Sequence, residues 1–167
     1  MLRLSALTLA MVVAGAVQAQ GIVTTHKISA ALANELVGDS VAQCAKNGNK
    51  VWAVVVDLDG VRQAVLRGDG APIHSQDNAY YKAYTLASMG LARKETSTKQ
   101  IQDRMAKAQP STVPTFPLPN ITYAQGALAI VANGETIGAL GVSGAPGGNL
   151  DEACASFALD KVKDRLK

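Results

Sequence analysis

The run Val51-Trp-Ala-Val-Val-Val-Asp-Leu-Asp-Gly-Val-Arg-Gln-Ala-Val-Leu66 decides the fold of this chain. Val51 to Val56 is a dense β-branched segment and reads as a strand buried on both faces. Asp57-Leu-Asp-Gly60 carries turn chemistry, and Val61 to Leu66 returns as a second strand, so the segment is a β-hairpin. Asp57 and Asp59 raise the question of calcium. A loop of the EF type needs further oxygen ligands at set offsets and a closing glutamate, so a solvated turn is the reading here.

Downstream, Arg67-Gly-Asp-Gly70 turns the chain into a helix expected over Ile73–Met89. Ala79, Ala83, Leu86 and Ala87 share one face of it, and small residues there allow close approach to a sheet. Tyr80, Tyr81 and Tyr84 point to different sides, so at least one is expected to be buried with its hydroxyl satisfied. Gly90 is expected to stop the helix. Residues 93–108 are polar and suit a short exposed helix capped by Ser97 or Thr98, with Ile101 and Met105 as its large apolar residues. Four of the six prolines fall between 110 and 119, which marks an extended loop rather than a central strand. An additional strand near Phe116–Tyr123 is open at this level.

A second hairpin follows. Ala127–Val131 and Thr136–Val142 flank the turn pair Asn133-Gly134, and Gly138 and Gly141 leave room for close packing. The loop Ser143–Gly148 leads to a last helix, expected to be capped by Asn149 or Asp151, with Leu150, Cys154, Phe157, Ala158, Val162 and Leu166 as its stripe. Upstream of the first hairpin, Ile28, Leu32, Leu36, Val37, Val41, Cys44 and Ala45 recur at helical spacing. They predict a helix from about His26 to Lys46, capped by Thr24 or Thr25 and ended at Asn47-Gly48. Helix, hairpin, helix, loop, hairpin, helix is the order of an α+β sandwich: a central antiparallel sheet of four to five strands flanked by helices.

The chain opens on an address. Arg3 precedes the uncharged run Leu4–Val17, and Val17-Gln18-Ala19 has the small residues of a cleavage site. The run is shorter than the ~20 residues of a membrane-spanning helix. Residues 1–19 are therefore expected to be a cleaved signal peptide, and 20–167 a single domain, periplasmic or secreted, with no membrane span after cleavage. Without Arg3 the balance is fifteen basic against thirteen acidic residues. That charge is weak and scattered and excludes a nucleic-acid footprint. Cys44 and Cys154 lie on the stripes of the first and last helices. In an oxidising compartment they are either a disulfide or two buried thiols, and their spacing matches neither a zinc site nor a redox CxxC pair.

No catalytic constellation is evident. Gly141-Val-Ser-Gly-Ala145 has Ala where a nucleophile elbow needs its last Gly, and the nearby glycines fit neither a dinucleotide fingerprint nor a phosphate-binding P-loop. The loop before the last helix is nonetheless suited to presenting N–H groups to an anion such as a carboxylate. The chain has two histidines. His74 stands at the start of the second helix near Arg67 and Lys82, either as a ligand or as a polar residue at a helix end. His26 stands before the first helix, either as a solvated flank or as an axial ligand; any imidazole-ligated iron must use one of the two.

Four spaced marks, Val54-Val-Val-Asp57 with Gly60, Arg67-Gly-Asp-Gly-Ala71, Ala79 with Lys82-Ala83, and Ile137-Gly-Ala-Leu-Gly-Val-Ser-Gly144 with Asp151, make the chain resemble the GlcG/HbpS-like proteins. This family also supplies the C-terminal domain of PduO-type corrinoid adenosyltransferases. The resemblance spans about Ile28 to Leu166. It implies a profilin-like sandwich, a tendency to form homo-oligomers, and haem as the bound small molecule. It also implies His26 as the axial ligand of the haem iron; the residues themselves offer His74 as the second candidate and Arg67 and Lys82 as propionate partners or structural cations. The competing reading is a carboxylate-binding protein or enzyme with its pocket between residues 67–74 and 143–148. A third is an oligomer subunit with no ligand.

Overall fold

The computed structural model describes residues 21–109 and 117–167. The expected signal peptide lies outside these residues, as do Pro110, Pro114 and Phe116 of the proline-rich loop. Among the described residues the elements are α1 (Ala30–Lys46), β1 (Trp52–Asp57), β2 (Arg62–Arg67), α2 (His74–Thr85), α3 (Thr98–Ala106), β3 (Ala127–Ala132), β4 (Glu135–Ser143) and α4 (Gly148–Val162). The strands form one antiparallel sheet in the order β2-β1-β4-β3. No strand forms over 117–123, where Asn120 takes a left-handed turn conformation and the Thr122 N–H is held by Thr85 Oγ1 at 2.9 Å.

β1 is central and every one of its residues is buried, because both faces of the sheet are covered. On one face α1 and α4 pack Leu36, Val37, Cys44, Cys154, Ala158 and Val162 against Ala53, Val55, Leu140 and Val142. On the other, α2 and α3 bring Ala79, Tyr80, Ala83, Leu86 and Ile101 against Val54, Val56, Ala127 and Ala139. The alternation of β1 side chains between these two clusters is the two-residue period of a strand. Gly141 in β4 lets α2 come very close: a Cβ there would lie 2.2 Å from the Ala79 carbonyl oxygen.

The helix ends differ from expectation in instructive ways. α1 starts at Ala30 rather than His26, because Ser29 is extended and its hydroxyl accepts from the Leu32 N–H at 3.2 Å. His26 therefore precedes the helix. α2 is not stopped by Gly90. It continues as a π-helical turn over Leu86–Gly90 and a short 3-10 turn over Leu91–Arg93, and ends at the left-handed Lys94. Gly90 is instead a packing position, since a Cβ there would meet Leu86 Cδ1 at 2.8 Å. α3 has the full capping box of Ser97 and Gln100.

α4 is capped by Gly147 rather than by Asn149 or Asp151. Its buried stripe is Asp151, Cys154, Ala155, Ala158 and Val162, which turns Leu150 and Phe157 outward, 40% and 38% exposed. The first hairpin turn also departs from the sequence reading. Asp57 is not solvated but 2% exposed; its Oδ1 accepts from the N–H groups of Asp59 and Val61, and its Oδ2 from Gln63 Nε2. Tyr80 meets the expectation of a buried, satisfied tyrosine, donating to the Gly60 carbonyl at 3.1 Å.

Cys44 and Cys154 are joined as a disulfide with Cα atoms 5.5 Å apart, tying α1 to α4. Two ion pairs, Lys161–Asp39 and Arg165–Glu35, join α1 to α4 and to the 3-10 turn that follows it at the surface.

Candidate functional site

The four candidate side chains fall into three separate hollows. The first lies where the chain enters α1. His26, Lys27, Leu32, Ile137, Arg165 and Leu166 are among the residues around a cavity of about 240 Å³. The His26 side chain is 74% exposed, and its Nδ1 lies 2.7 Å from Glu135 Oε2 at the start of β4. An ionised carboxylate only accepts hydrogen bonds, so in the neutral imidazole this contact puts the ring proton on Nδ1 and leaves a lone pair on Nε2. A carboxylate behind the ring is also the arrangement that orients metal-ligating histidines.

The second hollow is a cavity of about 320 Å³ between α2 and the β4–α4 loop, with His74 at its rim. Its floor is a buried ion pair, Lys82 Nζ to Asp151 Oδ2 at 2.7 Å, with both side chains 3% exposed. The ammonium also donates to the Val142 carbonyl at 3.0 Å, and Asp151 Oδ1 accepts from the Ala145 N–H at 3.0 Å. Burial pushes the Asp151 carboxyl above its ordinary value, against the opposing pull of Lys82 and of the Ala145 N–H. Above this pair, Asn78 Nδ2 donates to Ser143 Oγ at 2.9 Å. Gly126, at φ +133°, closes over the lysine so tightly that a Cβ would sit 2.6 Å from Nζ.

Arg67 belongs to neither. It faces a third hollow beside Lys50 and Asp69, and its Nε and Nη2 both donate to the Ala71 carbonyl, at 3.1 and 2.7 Å. It thereby clamps the turn that leads into α2. The structure thus brings His74 and Lys82 to one cavity, together with the 143–148 loop as the carboxylate reading expects, but keeps residues 67–73 out of its lining. His26 stands apart from the other three side chains.

Sequence reasoning missed Ser75 and Asn78, and it did not pair Lys82 with Asp151. A signal for the pair was present. Lys82 lies three residues after Ala79 and four before Leu86, on the face assigned to the sheet, and a lysine buried there requires a counter-charge. Among the described residues no group of three or more His, Cys, Asp and Glu side chains is placed to hold a metal ion, and no helix is long and apolar enough to cross a membrane.

This is an α+β domain: an antiparallel sheet with two helices on one face and two on the other, and polar cavities at its helix ends. A family model described as "Haem degrading protein HbpS-like" matches residues 28–160, and the chain belongs to that HbpS-like family. Among solved structures it is similar to HbpS, at 27% identity and a TM-score of 0.76 over 89% of this chain and 99% of that one. ORFY of Klebsiella pneumoniae shares the fold at 24% identity and a TM-score of 0.73, covering 86% of this chain and 95% of the other. So does a PduOC:Heme complex, at 23% identity and a TM-score of 0.68, covering 81% and 94%. No curated protein matches the chain.

Proposed function

We propose that this is an exported, homo-oligomeric haem-binding protein and that His26 supplies the axial nitrogen. The observation that carries the reading is the His26–Glu135 contact at the mouth of the α1 hollow, in a member of a family described as haem degrading. The residues present fit a haem. Nε2 is the free ring nitrogen, Glu135 orients the ring, and Leu32, Ile137 and Leu166 give an apolar floor. Lys27, Arg165 and Lys167 stand at the rim as cations for carboxylates, each now held by a neighbouring acid. A bound haem would supply an iron centre for redox or ligand chemistry. The protein's part is to bind it, to orient the imidazole and to shield one porphyrin face.

Export rests on Arg3, the apolar run that follows it and the small residues before Gln20. Homo-oligomerisation is supported by apolar side chains left on and beside the edge strand: Val61, Val65, Leu66 and Ile73 are all exposed. The test is a haemin titration of residues 20–167 followed at the Soret band. A saturable band that is lost in His26→Ala and kept in His74→Ala is expected. The absence of a saturable band in the wild type, or one unchanged in His26→Ala, would overturn the proposal.

A further inference from the structure

The cavity between α2 and the β4–α4 loop is distinct from the His26 hollow, and its polar groups are only partly used. Ser75, Lys82 and Ser143 line it and are 1%, 2% and 3% exposed. The Ser75 hydroxyl has no hydrogen-bond partner among the described residues. Its proton is therefore available to a molecule in the cavity. Lys82 commits two of its three protons, to Val142 and Asp151, and keeps one. Ser143 Oγ accepts from Asn78 and still has its own proton to donate. α4 opens on the same space with Gly147 as its cap, which makes no side-chain capping bond.

A wall so rich in donors selects a ligand rich in acceptors. The charge balance agrees. Lys82 and Asp151 cancel, and both Asp151 oxygens are already engaged. What remains is the positive end of the α4 dipole, with His74 at the mouth. The Asn78 side-chain oxygen is left over as one acceptor, suited to a hydroxyl. A volume of about 320 Å³ holds on the order of ten non-hydrogen atoms at the ~30 Å³ that a water occupies, the size of a small acid. We propose that this cavity binds a small hydroxylated carboxylate through the Ser75 and Ser143 hydroxyls, the free Lys82 proton and the N-terminus of α4.

The test uses 15N-labelled residues 20–167 titrated with lactate, with neutral lactamide as control. Saturable shifts of the amides from Gly144 to Asp151 are expected with lactate and not with lactamide. Ser75→Ala and Ser143→Ala, each removing one bond to a charged ligand, are expected to weaken binding about tenfold. His26→Ala should bind lactate as the wild type does, which separates this site from the haem reading. The proposal is overturned if lactate gives no saturable shift, if lactamide binds equally well, or if a folded Ser75→Ala keeps wild-type affinity.

Discussion

Lys82 and Asp151 stabilise the fold only as a pair, and a double-mutant cycle makes that measurable. Lys82→Met removes the ammonium and leaves the Asp151 carboxyl, 3% exposed, with a single partner, the Ala145 N–H. Asp151→Leu leaves the ammonium facing only the Val142 carbonyl. Breaking a buried pair from either side costs about 3–5 kcal/mol, whereas replacing both partners removes the stranded charge. The double variant loses the two backbone contacts but no buried charge, so its cost should be about that of one single variant. The coupling energy is then about 4 kcal/mol. Urea unfolding at pH 7, read by the lone tryptophan, Trp52, gives each corner of the cycle. The same pair sets a pH dependence. The folded-state pKa of Asp151 is raised above 3.8, so the folded protein holds this proton more tightly than the unfolded chain does. The associated stability is present at or below that value and is lost as pH rises through the folded pKa. Wild-type stability should therefore fall relative to Asp151→Asn as pH rises above 3.8. In Lys82→Met, with the cation gone, the loss should extend to higher pH. Additive single effects, or a wild type that gains on Asp151→Asn over that range, would refute the reasoning.

Two further outcomes follow from packing and covalent structure. The Cys44–Cys154 bond has a sequence separation of 110 residues. Loop entropy for that length gives about 5 kcal/mol, so reduction should lower Tm by on the order of 10–20 °C in calorimetry of oxidised against reduced protein. Gly141→Ala puts a methyl group 2.2 Å from the Ala79 oxygen and 2.9 Å from the Ala83 nitrogen, both backbone atoms that move only if α2 moves. It should cost about 3 kcal/mol in the same urea assay, at the upper end of overpacking penalties.

The sheet was legible because its signals are local. Val51–Val56 has no polar face to leave wet, and Asn133-Gly134 supplies the two positive φ angles its hairpin turn uses. The helix ends were less legible. Ser29, Thr25 and Thr24 are equally good caps in isolation, and only the docking of Ile28 and Leu36 into the core selects Ser29. Leu150 and Phe157 misled for a related reason. Hydrophobicity placed them on the buried stripe, but the partner waiting at that face is Lys82, and it draws Asp151 inward instead. Of the site, His26 and His74 were visible as rare residue types. The grouping of Ser75, Asn78, Lys82, Ser143 and Asp151 was not, because those residues come from three segments that meet only when α2 lies across β4.

The disulfide has a mechanical side. It closes residues 44–154 into a covalent ring that contains all four strands together with α2 and α3. Tension applied to the two ends of the domain would pass from α1 to α4 through sulfur and leave the sheet unloaded. At about 3.4 Å per extended residue, the ring withholds on the order of 370 Å of chain from a pulling experiment until it is reduced. Both cavities owe part of their walls to strands inside that ring, so load on the chain ends would loosen the edge at His26 well before it reached the floor at Lys82.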